Sequence, residues 1–132
     1  MNVPSQDIKD FLLESSTGLS IIFATDLFIA KMPETPDECV CIYDSGGLSP
    51  EANYEYDFPS IQVRVRGNRF SYQAGWALAK DVRDVLHGKT NETINGTRYI
   101  QIVSSGDIIF ISWDEMERPI FSMNFEIHRA SI

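Results

Sequence analysis

The sequence predicts an α+β fold: a mainly antiparallel sheet with a C-terminal meander, packed by one long amphipathic helix and a shorter N-terminal helix. Three observations predict it. Phe70–His87 carries apolar residues at helical spacing, Pro119–His128 alternates between apolar and polar residues, and Asn95-Gly96 is a strong hairpin turn signal. Both kinds of secondary structure are therefore expected, in separate parts of the chain.

Length and composition predict a single domain over residues 1–132, because 43% hydrophobic and 23% charged residues are typical of an ordinary globular protein. We expect an N-terminal helix at about 5–16 and an α+β body at about 24–128. Ser5 is the predicted N-cap of that helix and Gly18 its stop. Its predicted inner face consists of Ile8, Phe11, Leu12 and Ser15.

The next segments read as strands and a loop. Asp26–Met32 and Cys39–Tyr43 are predicted strands joined by a proline-containing connection. Gly46–Tyr56, which includes Tyr54, is predicted to be a long polar loop. Ser60–Arg66 then alternates as a half-buried strand does.

The second half of the chain begins with the long helix, which Gly88 ends. Its predicted apolar face consists of Ala74, Leu78, Val82, Val85 and Leu86. The predicted antiparallel meander has three strands: Thr97–Val103, Ile108–Trp113 and Pro119–His128. The run Ile108–Ile111 has no polar face, which favours a central strand covered on both faces.

Net charge and hydropathy exclude several functions. A formal net charge of −8 argues against a nucleic-acid binder, although DNA passing a surface without binding is compatible with it. The longest apolar runs are far shorter than the roughly 20 residues of a membrane helix. The first residues lack a signal-peptide pattern, so we expect a protein made inside the cell, with no membrane partner.

Charge is segregated in the middle of the chain. Seven carboxylates and no Lys or Arg lie between Glu34 and Asp57, whereas Phe58–Lys80 has four basic residues and no carboxylate. Opposite charges on separate segments favour a surface that meets a second copy of the chain, with bidentate arginine–carboxylate pairs setting the register. The candidate subunit-interface residues are Arg64, Arg66, Arg69, Asp44, Glu51, Glu55 and Asp57.

One tetrapeptide resembles a catalytic motif. Asp44–Gly47 (Asp-Ser-Gly-Gly) copies the nucleophile segment of trypsin-like serine proteases. That chemistry needs a histidine and an orienting carboxylate as well. His87 and His128 both follow Ser45, in the reverse of the trypsin order, so we expect no catalytic residues and interpret the segment as a tight turn.

Metal sites are also not predicted. Cys39 and Cys41 share one strand face, but no further Cys or His lies near them in the sequence, so buried apolar cysteines are the favoured interpretation. The loop carboxylates lack the spacing of a calcium loop. They remain candidates for a solvated cluster or for salt bridges between subunits. No cofactor is expected.

Three segments resemble a tailed-bacteriophage family of minor capsid proteins that is similar to tail terminator, or tail completion, proteins. These segments are Ile29–Gly47, Phe58–Gly67 and Asn91–Ile100, and the resemblance spans Leu27 to Ile127. Their order and spacing carry the resemblance more than any single one of them does. The N-terminal helix lies outside it.

The resemblance implies a virion protein of the tail at the head–tail junction, made in the host cytoplasm. It implies a ring of identical copies, commonly a hexamer, that caps the tail tube, stops its polymerisation and docks the head connector, while DNA passes through the lumen. The family offers no catalytic residues. Two alternatives stay open: a head–tail connector or stopper protein of the same phage module, and a small acidic inhibitor or immunity-type binding protein.

Overall fold

The computed structural model describes residues 1–52 and 55–131; Asn53, Tyr54 and Ile132, of which the first two belong to the predicted loop, lie outside it. Within these residues the chain forms two α-helices and seven β-strands, which confirms the α+β class. In chain order they are α1 (Pro4–Leu12), β1 (Leu27–Ile29), β2 (Cys39–Leu48), β3 (Tyr56–Arg66), α2 (Tyr72–Leu86), β4 (Lys89–Ile94), β5 (Thr97–Ser104), β6 (Ile109–Trp113) and β7 (Pro119–Ser131). Neither described helix has the length and apolar character of a membrane span.

The seven strands form one mixed sheet in the order β1-β2-β3-β7-β5-β4, with β6 also paired to β7. β1 and β2 are parallel, and the other five pairs are antiparallel. β7 is the centre of the sheet, because its 13 residues pair with β3, β5 and β6. β6 pairs with the first part of β7 and β5 with the last part.

The predicted meander is wrong in one of its two pairings: β6 pairs with β7 as predicted, but β5 does not pair with β6 within the described sheet. β5 pairs with β7 instead. The predicted central position of Ile108–Ile111 is wrong too, because all five residues of β6 are exposed. The physical reason is that β6 is short and reaches only the Pro119–Ser122 end of β7, at an edge of the sheet.

One half of the sheet is a run of five strands, β6-β7-β3-β2-β1. A single rung crosses all five of them, through Ile109, Ser122, Arg64, Cys41 and Phe28. β6 and β1 are therefore the two opposite edges of this run. Four strand spacings separate them, or about 19 Å.

The hydrophobic core lies between one face of the sheet and both helices. α1 contributes Ile8, Phe11 and Leu12, as the sequence predicts. On β7, alternate residues face the core as predicted: Phe121, Met123, Phe125 and Ile127.

The inner face of α2 differs from the prediction by a rotation about the helix axis. Ala74 is exposed, whereas Gly75 and Ala79 are buried together with Val82 and Leu86. A Cβ atom added to Gly75 would lie 2.9 Å from the Phe121 ring, so the small residues let the helix approach the sheet closely. The sequence pattern predicts Ala74 on the buried face because alanine has an apolar side chain, whereas glycine has none.

α1 begins earlier than predicted, with Val3 as N-cap and proline in the first turn, a position where its missing N–H costs nothing. Ser5 is therefore not the cap. Its backbone N–H and hydroxyl instead donate to the Asp44 carboxylate, at 3.0 and 2.7 Å. The helix ends at Leu12, short of the predicted residue 16, and a 3₁₀ turn follows at Ser15–Thr17.

Several strands begin or end at other residues than predicted, where no strong turn residues mark the boundary. β1 is three residues long, shorter than the predicted Asp26–Met32. β2 continues to Leu48 and β3 begins at Tyr56, so the connection between them is shorter than the predicted loop. β4 was not predicted, because its sequence is polar. The hairpin turn at Asn95-Gly96 is confirmed, with φ values of 50° and 79°.

The Asp44–Gly47 segment is a bulge inside β2, not a turn that ends it, because the register with β3 shifts between these residues. Gly47 has φ +115°, and a Cβ atom there would lie 2.2 Å from the Phe58 carbonyl oxygen. Glycine is required at this position for both reasons.

Replacing Gly47 with alanine is therefore expected to destabilise the protein by about 2 kcal/mol, since the added methyl group forces β2 and β3 apart. Gly46→Ala is the matched control, because Gly46 also has positive φ (+86°) but no atom within 4 Å of the added Cβ. Its expected cost is only about 1 kcal/mol, from the left-handed backbone. Urea denaturation of both variants measures the difference; equal costs would contradict the steric explanation.

Candidate assembly surfaces

Arg66, predicted to lie in a subunit contact, is used inside its own chain. The side chain is buried, with 5% exposure. Its guanidinium donates to four backbone carbonyl oxygens of the β1–β2 connection, those of Pro33, Glu34, Pro36 and Asp37, at 2.7 to 3.3 Å. Arg66 therefore fixes this connection against the end of β3 and presents no guanidinium to another subunit.

A second buried arginine, Arg118, was missed by the sequence reasoning. It forms ion pairs with Asp114 at 2.7 Å, Asp37 at 3.1 Å and Glu34 at 3.6 Å. Two carboxylates of the acidic segment are thereby engaged within the chain. No sequence signal points to this contact, since Arg118 lies 81 residues from Asp37.

Asp114 is held in its charged form by this contact. Burial raises its pKa, but N–H groups of Arg118 and Met116 and the Arg118 guanidinium donate to the carboxylate and lower the pKa overall, below the ordinary 3.8. A lowered carboxyl pKa contributes stability that is present above the unfolded pKa and lost as the pH falls through the folded value.

We expect Asp114→Asn to be less stable than the wild type at pH 7, since the amide carries no charge for Arg118. The difference should shrink as the pH is lowered through and below 3.8, where the wild-type carboxylate also becomes neutral. Thermal unfolding at a series of pH values between 7 and 2.5 measures this. A difference that stays constant over the whole series would contradict the assignment.

The remaining predicted arginines are more accessible. Arg64 is half-buried on the sheet face away from the helices, where its Nε donates to Gln62 at 3.3 Å. Arg69 is exposed; its Nε donates to the carbonyl oxygen of Met116 at 3.0 Å, and its guanidinium lies over the Phe70 ring. Neither arginine forms an ion pair within the described part of the chain.

Of the four predicted acidic partners, two are bonded within the chain and two are exposed. Asp44 accepts the hydrogen bonds of Ser5, and Asp57 lies 3.5 Å from the Arg129 guanidinium. Glu51 and Glu55 are exposed in the connection between β2 and β3. That connection adjoins the start of β3, whereas Arg66 and Arg69 lie at its end, so about 35 Å of strand separates the two charged groups.

Exposed apolar side chains are grouped on and around β6, and we call this group the β6 surface. It consists of seven exposed side chains: Phe70, Tyr72, Ile109, Phe110, Ile111, Trp113 and Met116. The rings of Tyr72, Phe110 and Trp113 contact one another, with centroid distances of 5.2 to 6.1 Å. Phe110 also packs edge-to-face against buried Phe121, with a centroid distance of 5.7 Å, which anchors the cluster on the core.

A smaller apolar area lies beside β1, and we call it the β1 surface. It consists of Leu13, Ile22 and Phe23, with exposures of 37%, 63% and 43%. The ammonium group of Lys9 lies 4.5 Å from the centre of the Phe23 ring and joins this segment to α1. The two apolar surfaces thus flank opposite edges of the five-strand run.

The residues weighed for catalysis and metal binding have structural roles. Cys39 and Cys41 are free and buried, as predicted, and burial raises the pKa of both thiols. Nδ1 of His87 accepts from the Ser104 N–H, and His128 packs against Phe58. Among the described residues, no three His, Cys, Asp or Glu side chains are grouped as metal ligands.

Comparisons with known proteins give a family match and a match of fold. The model of a family described as bacteriophage tail terminator protein matches residues 13–130. Seven chains of solved structures match; one, from the virion of a native gene transfer agent particle, has a TM-score of 0.71 at 10% identity, over 97% of this chain and 95% of that chain. This likeness concerns the fold. No curated protein matches the sequence.

Proposed function

Because the chain belongs to the bacteriophage tail terminator protein family, we propose that it forms a ring that caps the tail tube. It is a structural protein of the virion, located in the tail. In this proposal the ring stops tube polymerisation and gives the head connector a surface to dock on. The observation that carries the proposal is the family match over residues 13–130, which covers α2 and the whole sheet except its last residue; α1 lies outside it.

The distribution of apolar surface supports ring formation. A head-to-tail contact needs two different surfaces on each subunit, and it closes into a ring when the rotation between neighbours permits. The β6 surface and the β1 surface are two such areas, and they flank opposite edges of the same five-strand run. A ring of six copies is the form we propose.

In the proposed contacts, charge is contributed only by candidates that are at least partly exposed and have no ion pair within the described chain. Arg64, Arg69, Glu51 and Glu55 carry charges without an ion pair among the described residues, and the basic and acidic groups lie at opposite ends of β3. We assign these four residues to contacts between subunits. Arg66, Asp44 and Asp57 are omitted from the assignment, because their hydrogen bonds and ion pairs stay within one chain.

The proposed partners are the tail tube protein on one face of the ring and the head–tail connector on the other. DNA passes through the lumen. A net charge of −8 per copy supports passage without binding, because an acidic ring repels phosphate groups. The proposal contains no catalytic step.

The test removes the gene from the phage and examines the particles by negative-stain microscopy. We expect tails of irregular, excessive length that are not joined to heads, and we expect purified protein added to terminator-free tails to restore infectious particles. Tails of normal length that fail to join heads would contradict the capping role and place the protein at the connector position. Normal infectious particles would contradict the proposal as a whole.

A further inference from the structure

We propose that the β6 surface of one copy contacts the β1 surface of the next copy, and that this apolar contact holds the ring together. The inference rests on the proposed ring and specifies which residues build it. Each subunit then uses Phe70, Tyr72 and residues 109–116 toward one neighbour, and Leu13, Ile22 and Phe23 toward the other.

β6 is an apolar strand at an edge of the sheet, and its outer side has no covering segment among the described residues. Natural proteins blunt exposed edges with lysine, proline or a covering segment, since unpaired strands associate. β6 reads Ile-Phe-Ile-Ser-Trp, and only one of its sides, toward β7, has a strand partner in the described sheet. The one feature of β6 that disfavours pairing with another strand is a bulge between Phe110 and Ser112.

The other sheet edges are protected. β4 is polar, with sequence Lys-Thr-Asn-Glu-Thr-Ile. At β1, the chain's own turn covers the edge, because the Ala24 N–H donates to the Leu27 carbonyl oxygen at 2.9 Å and Phe23 bridges to Leu27. The β1 edge therefore offers apolar side chains in place of a free backbone, and it suits a side-chain contact.

The exposed apolar area around β6 is large enough for a subunit contact. Seven large side chains with exposures of 37% to 70% present on the order of 600 Å² of the β6 surface, given that each aromatic side chain alone covers about 150–250 Å². The largest apolar patch of a typical monomer is about 300–600 Å². Ile109 and Phe110 point to opposite faces of the sheet, so this area surrounds the free edge of β6. A stable interface covers about 800 Å² on each partner, so a neighbour that contacts both faces at this edge gains most of one side.

The β1 surface is the partner that leaves neither apolar surface exposed in the ring. A contact of β6 with β6 of a second copy would make a closed dimer and leave the β1 surface in water. A contact between opposite edges covers both apolar areas in every subunit once the ring closes. Because about 19 Å of sheet lies between the two edges, neither contact obstructs the other.

The experiment places a charge in each surface and measures complementation of terminator-free tails by the purified full-length chain. Ile111→Glu alters the β6 surface, and Ile22→Glu alters the β1 surface at a residue that is 63% exposed. Each is expected to lower complementation at least tenfold, because a buried unpaired carboxylate opposes the contact. Leu48→Glu is the matched control, since Leu48 is 78% exposed and belongs to neither surface; it should complement as the wild type does.

Circular dichroism and thermal unfolding verify that the variants are folded, and Met116→Glu replaces Ile111→Glu if the latter does not fold. Complementation by Ile111→Glu or Met116→Glu at the wild-type level would overturn the role of the β6 surface. Loss with Ile111→Glu but not with Ile22→Glu would overturn the assigned partner surface. Failure of the wild type to complement would instead refute the proposed function, so the two failures are distinguishable.

Discussion

Replacing Arg129 with methionine is expected to lower the free energy of unfolding by about 4 kcal/mol, because it leaves a buried carboxylate without its cation. Asp7 has 0% exposure, and its Oδ2 lies 3.7 Å from Arg129 Nη1. The Tyr99 hydroxyl donates to the same oxygen at 2.6 Å, and the Arg129 guanidinium donates to the Tyr99 oxygen at 3.2 Å. Together the three side chains join α1, β5 and β7.

Tyr99→Phe is the matched control for this prediction. It removes one hydroxyl but keeps the charge pair, and Asn95 still donates to Asp7 at 2.9 Å. The expected cost is about 2 kcal/mol, because the hydroxyl's two hydrogen bonds, to Asp7 and from Arg129, are both lost. Chemical denaturation of both variants measures the free energies. A cost below about 1 kcal/mol for Arg129→Met would contradict the importance of the buried pair.

The second large effect is expected at Arg66. Arg66→Met retains the aliphatic part of the side chain but leaves four carbonyl oxygens of the β1–β2 connection without their donor. We expect a loss of about 3 kcal/mol, since hydrogen bonds to charged groups contribute about 1.5–3 kcal/mol each and are not additive. Denaturant titration gives the value.

Arg64→Met is the control for Arg66→Met, and its expected cost is less than about 1 kcal/mol because Arg64 is partly solvated. Similar losses for the two variants would contradict the distinction between them. The distinction also decides how the charged contacts are tested. Reversing both arginines would unfold the connection as well as alter the surface, so only Arg64→Glu reports on assembly.

Local patterns predicted the parts of the fold that depend on a few neighbouring residues. Asn95-Gly96 forms its hairpin turn because both residues accept positive φ, whatever surrounds them. The alternation of Phe121, Met123, Phe125 and Ile127 places β7 correctly, because period 2 matches the pleat. The helix α2 was predicted within two residues at its start and one at its end.

Longer-range features were not predictable, because identical patterns have different meanings in different contexts. Arg64 and Arg66 alternate on the same strand face, and only the position of the β1–β2 connection buries one of them. An apolar run such as Ile109–Ile111 fits a core strand and an interface strand equally well, since both avoid water, one by folding and the other by assembly. Arg118 joins segments that the sequence gives no reason to bring together.

The pairing of β7 has a consequence for the order of events during protein synthesis. β3, β5 and β6 all precede β7 in the chain, and each finds its main partner in it. On the ribosome β3 and β5 emerge with one edge able to pair, to β2 and β4, and the other edge unpaired, whereas β6 has no strand partner until β7 follows it. The β3–β7 contacts join residues far apart in the sequence, and such contacts form slowly. β6 can pair with β7 only when residues 119–122 have been translated. In the proposed ring, subunits therefore become competent to associate through β6 only after the sheet is complete.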